Sequence, residues 1–166
     1  QKRRSANRRL MNLKNLVSPD SVVCNADVVS KKRALELLAD LLAQQSEADK
    51  SLQIFQLLTE REKLGSTSLG HGIALPHART DLCKKAIGVF IRTKNGIDFD
   101  SPDHQSTDLL FALMVPEHYT DEHLNILAEL AGMFNDEGFC QNLRTANTNE
   151  ELYQRLTSWN VTSQAS

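Results

Sequence analysis

Cysteine is scarce in this chain of 166 residues, and the three cysteines that occur form no motif. Cys24, Cys83 and Cys140 are far apart in sequence, odd in number and without a CxxC pair. This spacing excludes a zinc knuckle and a disulfide framework, and it favours a reducing compartment. We interpret each thiol as a small buried apolar group rather than as a reactive one.

Long apolar runs are also missing. No segment approaches the roughly 20 apolar residues of a membrane-spanning helix, and no apolar N-terminal segment indicates secretion. Internal repeats and low-complexity linkers are absent as well. The length and the 40% content of hydrophobic residues are typical of one globular domain with a buried core. We therefore predict a cytoplasmic protein without membrane insertion.

Positive charge is concentrated at the N-terminus. Five of the first nine residues are basic, whereas the whole chain has a formal net charge of −2. The remaining acidic body argues against binding of nucleic acid by the domain itself. We predict a basic arm over residues 1–10, a domain over 11–160 and a polar tail over 161–166. Met11 is a plausible natural start, so the arm is interpreted either as a disordered segment or as an addition made in cloning.

Helical and extended apolar patterns alternate along the chain. Helical spacing predicts helices over residues 30–45, 121–134 and 136–146. It also predicts a helix that Asp49 or Ser51 opens and Gly65 stops, and a last helix that Thr148 or Asn149 caps and that runs to Trp159. Short apolar runs predict strands over residues 21–24, 73–75, 86–92, 97–100 and 109–115. A turn is predicted at 94–96, and the last strand is apolar on both faces, as central strands are. This alternation indicates the α/β class.

Residues suited to binding or catalysis are concentrated in the segment 59–80. Its glycines permit left-handed backbone angles and close approach of a ligand. The apolar run 73–75 predicts a buried strand that Pro76 ends. His77 is therefore predicted just past an anchored strand end, where it presents one imidazole to an incoming group. A half-exposed turn histidine without a function is the alternative interpretation.

The order of residues in this segment resembles the phosphorylation-site signature of the enzyme IIA proteins of the bacterial phosphotransferase system, fructose/mannitol class. The matching residues are Glu62, the pair 69–70 and the run 73–78, and the stretch 61–67 is most similar to the nitrogen-regulatory branch. The resemblance covers nearly all of the chain after Met11 and implies a single domain with a mixed β-sheet flanked by helices. It also implies that His77 carries a phosphoryl group.

Two further side chains are expected to stabilise that phosphoryl group. Arg61 falls near the end of a predicted helix, directly before the glycine-rich loop. His123 matches a second active-site histidine of the family, in the first turn of a helix that we predict Thr120 to cap. His118 is a weaker rival for this role.

Hydroxyl and backbone N–H groups of the loop are expected to bind phosphate oxygens. The candidate residues are Ser66, Thr67, Gly70 and Gly72. The family pattern more often has asparagine where this chain has His71, so the role of that position is left open. Histidine phosphocarriers require no metal, and neither a metal nor a cofactor is predicted.

The resemblance also implies partners. An HPr-like phosphocarrier is expected as the phosphoryl donor, and sensor kinases or potassium-transport proteins are expected as regulated partners. The main alternative is a sugar-transport enzyme IIA that passes its phosphoryl group to a cysteine of a IIB protein. A metal site is disfavoured because the histidine pairs at 71/77 and 118/123 do not match the i, i+4 zinc pattern. A nucleotide-binding loop is excluded because GSTSLGHG lacks the Gly-Lys-Ser/Thr ending.

Partners would recognise the phosphorylation state through the surface around His77. A phosphoryl group adds about −1.5 to −2 charges to that surface. We expect apolar residues beside it, and the candidates are Leu69, Ile73 and the loop at His118.

Overall fold

A computed structural model of the chain describes residues 12–46, 49–118 and 121–159, and the side chains of residues 121–124 are left out of this description. The strands are β1 (Val22–Ala26), β2 (Ser68–Gly70), β3 (Ile73–Ala74), β4 (His77–Thr80), β5 (Ile87–Ile97) and β6 (Thr107–Pro116). The α-helices are α1 (Lys31–Ser46), α2 (Ser51–Lys63), α3 (Asp121–Phe134), α4 (Glu137–Arg144) and α5 (Asn149–Leu156). Short 3-10 turns at Leu13–Asn15 and Pro19–Ser21 precede β1.

The strands form one mixed sheet in the order β1-β5-β6-β3-β2, and β4 also pairs with β6. Strand β6 is antiparallel to β5 and parallel to β3 and β4. Strands β3 and β4 therefore lie one after the other along the same edge of β6, separated only by Leu75 and Pro76. The predicted class, a mixed sheet flanked by helices, is confirmed.

Helices cover both faces of the sheet, and each face has its own apolar core. Helices α1 and α2 pack on one face through Leu38, Leu42, Ile54 and Leu58. Helices α3, α4 and α5 pack on the other through Phe134, Leu143 and Leu152. In that second core, the rings of Phe90, Phe111 and Phe134 lie 5.8–6.2 Å apart between centroids. The long β5 and β6 are buried on both faces because both layers cover them.

The helix predictions agree closely with the structure. Helix α3 has the predicted bounds, and α1, α4 and α5 begin within one residue of the predicted starts. Ser30 Oγ accepts a hydrogen bond from Arg33 N, and Thr148 Oγ1 accepts one from Glu151 N, so both act as N-caps. Thr120, predicted to cap α3, lies outside the described residues. The terminal segments 1–10 and 161–166 also lie outside them, and the predicted domain bounds stay a prediction.

Two predictions around β5 were wrong. Residues 94–96 form no turn, because β5 continues through them to Ile97 with an irregular register between Arg92 and Ile97. The strand predicted over residues 97–100 does not form, since β5 ends at Ile97 and residues 98–100 belong to no strand. His77 lies shortly after the end of β3, as predicted, but it also begins β4, a strand that the sequence did not indicate.

The tight packing between β5 and β6 gives a test of the core. A Cβ at Gly88 would lie 2.7 Å from the Phe111 ring and 3.4 Å from Val17 Cγ1. Because Phe111 is fully buried, Gly88→Ala should lower the free energy of unfolding by about 1–3 kcal/mol through overpacking. Urea denaturation measures this change.

The matched control is Gly132→Ala in α3, where an added Cβ meets no atom within 4 Å. Alanine there should stabilise by about 0.5–1 kcal/mol, since glycine is the poorer helix former. Equal stability of Gly88→Ala and the wild-type protein would contradict the described packing.

Candidate functional site

His77 is held at the point where β4 begins alongside β6. Its imidazole is half-buried, and Nδ1 lies 2.8 Å from the carbonyl oxygen of Leu75. A carbonyl only accepts hydrogen bonds, so a neutral ring must carry its proton on Nδ1. Nε2 then keeps its lone pair. The backbone thus selects one tautomer and leaves one nucleophilic nitrogen.

The surroundings of His77 favour the neutral ring. Burial is the largest effect and lowers the pKa of His77 below its ordinary value of 6.5. The hydrogen bond to Leu75 and the Glu62 carboxylate raise the pKa, whereas the Arg61 guanidinium lowers it, and the net change is downward. The ring is therefore neutral at physiological pH, as a nucleophile must be.

Arg61 lies beside His77 in the last turn of α2. One of its guanidinium nitrogens donates to the carbonyl oxygen of Gly65 at 2.9 Å. Arg61 and His77 line two adjoining depressions, with volumes of about 440 and 360 Å³. Both side chains thus line the same surface, and the role of Arg61 towards a phosphoryl group stays a prediction.

The walls around this pair are mostly apolar. Leu64 is 85% exposed and lines the larger depression, and Leu69 is 43% exposed and lines the smaller one. Leu127 lines both depressions. Ile73 was predicted to contribute to this surface, but the prediction was wrong because Ile73 is only 4% exposed and packs into the second core.

Ser66 and Thr67 also line the smaller depression, but their side chains are engaged within the protein. Ser66 Oγ donates to the Phe99 carbonyl at 2.7 Å, and the Thr67 hydroxyl donates to the Glu62 carboxylate. The Thr67 N–H group also donates to that carboxylate, at 3.1 Å. In this structure the two residues fix the loop, and their predicted contact with phosphate stays a prediction.

Gly70 and Gly72 do not line the depressions at His77. The N–H group of Gly70 donates to Ser68 Oγ. The carbonyl of Gly72 accepts from Leu109 N at 3.0 Å, whereas His77 is paired with Leu113, four residues further along β6. This offset corresponds to about 13 Å. The strand register therefore separates Gly72 from His77, and the predicted contact of the two glycines with phosphate stays a prediction.

His71 lies in the same turn as Gly72 and faces a different cavity, of about 590 Å³. Its φ of +56° is in the left-handed region, and its N–H group donates to Asp103 Oδ2 at 2.8 Å. Asparagine adopts this region more readily than most residues. The backbone requirement thus accounts for the asparagine that the family pattern favours at this position.

The two remaining histidine candidates lie near the start of α3. His123 is in the first turn of α3, which begins at Asp121, but its side chain lies outside the described residues. His118 follows the end of β6 by two residues and is exposed.

The sequence interpretation assigned no role to Glu62, which the structure places next to the site. Ile54, Leu58 and Glu62 are the buried residues of α2. Their spacing of four puts them on one helix face, so the sequence already held a carboxylate on a buried stripe. A buried carboxylate without partners is energetically costly. The carboxylate at this position therefore needs hydrogen-bond donors around it.

Two negative observations bear on the alternatives. Within the ranges that the structure describes, no three His, Cys, Asp or Glu side chains converge into a possible metal site. Among the described helices, none has the length and apolar character needed to cross a bilayer.

Comparison with known proteins identifies the family of the chain. A family model described as "Phosphoenolpyruvate-dependent sugar phosphotransferase system, EIIA 2" matches residues 15–159. The chain is 38% identical over 148 residues to the nitrogen regulatory protein of Klebsiella oxytoca, which covers 89% of this chain and 91% of that protein. It is 35% identical over 127 residues to a fructose-specific EIIA component of Haloferax volcanii, covering 76% and 82% of the two chains.

A solved structure agrees with this sequence similarity. The crystal structure of nitrogen regulatory protein IIA-Ntr from Neisseria meningitidis is 40% identical to this chain and superimposes with a TM-score of 0.81, over 87% of this chain and 98% of that one. The predicted resemblance is confirmed. The chain belongs to the EIIA type-2 family of the phosphoenolpyruvate-dependent phosphotransferase system.

Proposed function

We propose that this chain is a histidine phosphocarrier with a mainly regulatory role, in which His77 accepts a phosphoryl group from an HPr-like protein. The observation that carries the proposal is the imidazole itself. Its Nδ1 is bonded to the Leu75 carbonyl, and burial keeps the ring neutral. Nε2 thus retains its lone pair, and the Arg61 guanidinium lies beside the ring in an open depression.

The transfer requires one bond to form and one to break. The lone pair of His77 Nε2 attacks the phosphorus of the donor's phosphohistidine, and the electron pair of the old P–N bond returns to the donor nitrogen. The His77 ring becomes more positive, which strengthens its hydrogen bond to the Leu75 carbonyl. The negative charge of the transferring group is carried by its equatorial oxygens. Arg61 is placed to neutralise this charge, and His123 is the second candidate for this role.

The regulatory recipient is favoured over a sugar-transport recipient by similarity. The nitrogen regulatory relative covers 89% of the chain, and the fructose-specific relative covers 76% at a lower identity. Sensor kinases and potassium-transport proteins are the proposed partners. The cytoplasm is the proposed compartment, consistent with three cysteines that are all unpaired.

The surface around His77 fits a switch that partners recognise. Exposed Leu64 and Leu69 lie beside the depressions that His77 lines. Exposed leucines next to a site that gains about −1.5 to −2 charges allow a partner to bind one charge state and to be repelled by the other. Such differential binding is what a phosphorylation switch requires.

Replacement of His77 tests the phosphoacceptor directly. His77→Ala should abolish the acid-labile mass gain of one phosphoryl group after incubation with the upstream phosphotransfer proteins and phosphoenolpyruvate, because among the histidines whose side chains the structure describes only His77 has a ring nitrogen bonded to a backbone carbonyl. Intact-mass spectrometry measures the gain. His104→Asn is the control, since His104 is exposed with a left-handed φ of +59° that asparagine adopts readily. Full labelling of His77→Ala would refute the proposal.

The pH dependence of His77 follows from its lowered pKa. Only the neutral ring is nucleophilic, so the labelling rate should stay at its plateau to a lower pH than it would for a histidine with the ordinary pKa of about 6.5. The labelling rate should fall only when the pH drops through the lowered pKa of His77 in the folded protein. NMR titration of the His77 ring, assigned by its loss in His77→Ala, separates this effect from titration of the donor. A midpoint at or above the ordinary value would contradict the described burial.

A regulatory role and a transport role differ in the protein that receives the phosphoryl group from His77. A pull-down with wild-type protein, His77→Ala and the phosphorylated protein should recover partner sets that differ between the charge states. Identical partner sets in all three samples would exclude a switch. Rapid transfer from phosphorylated His77 to a IIB cysteine, with sugar uptake dependent on this chain, would favour the transport role instead.

A further inference from the structure

Glu62 is a buried carboxylate directly behind the phosphoacceptor site. Its side chain is 4% exposed. It accepts two hydrogen bonds from Thr67, one from the N–H group at 3.1 Å and one from the hydroxyl. The carboxylate follows Arg61 by one residue, about 100° further around the helix, and is buried within the protein. It therefore cannot contact a phosphoryl group on His77 itself, and any effect on the reaction must pass through other groups.

Lys31 neutralises this carboxylate. Its ammonium nitrogen lies 3.0 Å from Glu62 Oε1 and 3.0 Å from Asp100 Oδ2. The same nitrogen lies 4.6 Å from the centre of the Phe99 ring. Burial lowers the pKa of Lys31, but the hydrogen bonds and charges of Asp100 and Glu62 outweigh it, and the net change is upward. Lys31 thus keeps its positive charge beside the carboxylate, and such charge-assisted hydrogen bonds favour a fixed geometry.

Three hydrogen bonds, joined by the backbone of Thr67 and of Leu75, lead from this pair to the imidazole. The Thr67 N–H group donates to Glu62, and the Thr67 carbonyl accepts from the Leu75 N–H group at 3.1 Å. The Leu75 carbonyl in turn lies 2.8 Å from His77 Nδ1. The backbone of Leu75, whose carbonyl orients the imidazole, is therefore connected to the Glu62 carboxylate through Thr67.

We propose that Glu62, neutralised by Lys31, is a positioning residue for phosphoryl transfer, which holds the His77 ring in its reactive tautomer through Thr67 and Leu75. The proposal rests on the proposed role of His77 as phosphoacceptor. Without the carboxylate, Thr67 loses two hydrogen bonds, and the Leu75 carbonyl is held less firmly in one position. The ring can then rotate or exchange its proton between the two nitrogens. Both changes lower the fraction of molecules with a free Nε2 lone pair aimed outward.

The first test is Glu62→Gln, which keeps the shape but removes the charge that pairs with Lys31. We expect phosphorylation to slow by about 10- to 100-fold, the usual effect of removing a group that orients a reacting side chain. Affinity for the HPr-like donor should not change, because Glu62 is buried. The ¹⁵N chemical shifts of the His77 ring should move from one tautomer towards a mixture of the two. NMR measures this in the unphosphorylated protein, so it needs no donor.

The matched control is Asp100→Asn. Asp100 forms an ion pair with the same lysine at the same distance, but its side chain is 71% exposed and lies outside the series that leads to His77. Its φ of +57° is one that asparagine adopts readily. This variant should retain the wild-type rate and ring shifts. An equal loss in Asp100→Asn would overturn the proposal, because the effect would then arise from Lys31 alone.

Thr67→Val provides a second route if Glu62→Gln does not fold. It removes one of the two hydrogen bonds to the carboxylate and keeps the Thr67 N–H and carbonyl groups. We expect a smaller change in the rate and in the ring shifts, in the same direction as in Glu62→Gln. Wild-type rate and shifts in either folded variant would overturn the proposal.

The outcomes also separate this proposal from the proposed function. Undiminished labelling of His77→Ala would show that His77 is not the phosphoacceptor, whatever Glu62 does. Exclusive labelling of His77 together with an unchanged tautomer in Glu62→Gln would leave the function in place and refute the positioning role. Thermal unfolding of each variant, compared at a temperature well below its melting midpoint, distinguishes loss of orientation from loss of the fold.

Discussion

The hydrogen bond between His77 Nδ1 and the Leu75 carbonyl is the interaction on which the site depends. It exists because the chain leaves the sheet for two residues between β3 and β4. Pro76 has no N–H group to give to a ladder, and the interruption lets the Leu75 carbonyl turn towards the ring two residues later. The Pro76 carbonyl still accepts from Leu113 N at 2.9 Å. The irregular segment is thus fixed to the central strand on both sides, and the ring inherits this rigidity.

The end of helix α2 gives the site two opposite charges with separate tasks. Arg61 and Glu62 are neighbours in sequence, so they lie about 100° apart around the helix. One side chain lines the open depression, and the other is buried against Lys31 and Thr67. Their effects on the pKa of His77 oppose each other, and burial decides the net direction. A cation in the open depression and an anion that fixes the loop can therefore come from one helical turn.

The loop before β3 has a structural task that its composition does not reveal. Glycine, serine and threonine in such a loop suggest a cradle of free N–H groups for phosphate. In this chain several of these groups bond to neighbouring side chains instead: Thr67 N to Glu62, Ser68 N to Ser66 and Gly70 N to Ser68. A loop whose N–H donors are occupied in this way is rigid. A rigid loop keeps the Leu75 backbone in place through the bond from Leu75 N to the Thr67 carbonyl.

The sequence by itself determined the family and the positions of the helices and of β1, β3, β5 and β6, and it predicted the Pro76-His77 pair as the centre of the site. These features are local, because apolar spacing, capping residues and a short motif each lie within a short segment of the sequence. It also held the buried stripe Ile54, Leu58 and Glu62, but it could not say what the carboxylate would meet. The partner of His77 Nδ1, the ion pair with Lys31 and the separation of Gly72 from His77 were decided by tertiary structure alone. Each depends on the register of strands along β6 or on the packing of α1 against α2, and such contacts join residues that are distant in sequence and leave no periodic pattern in it.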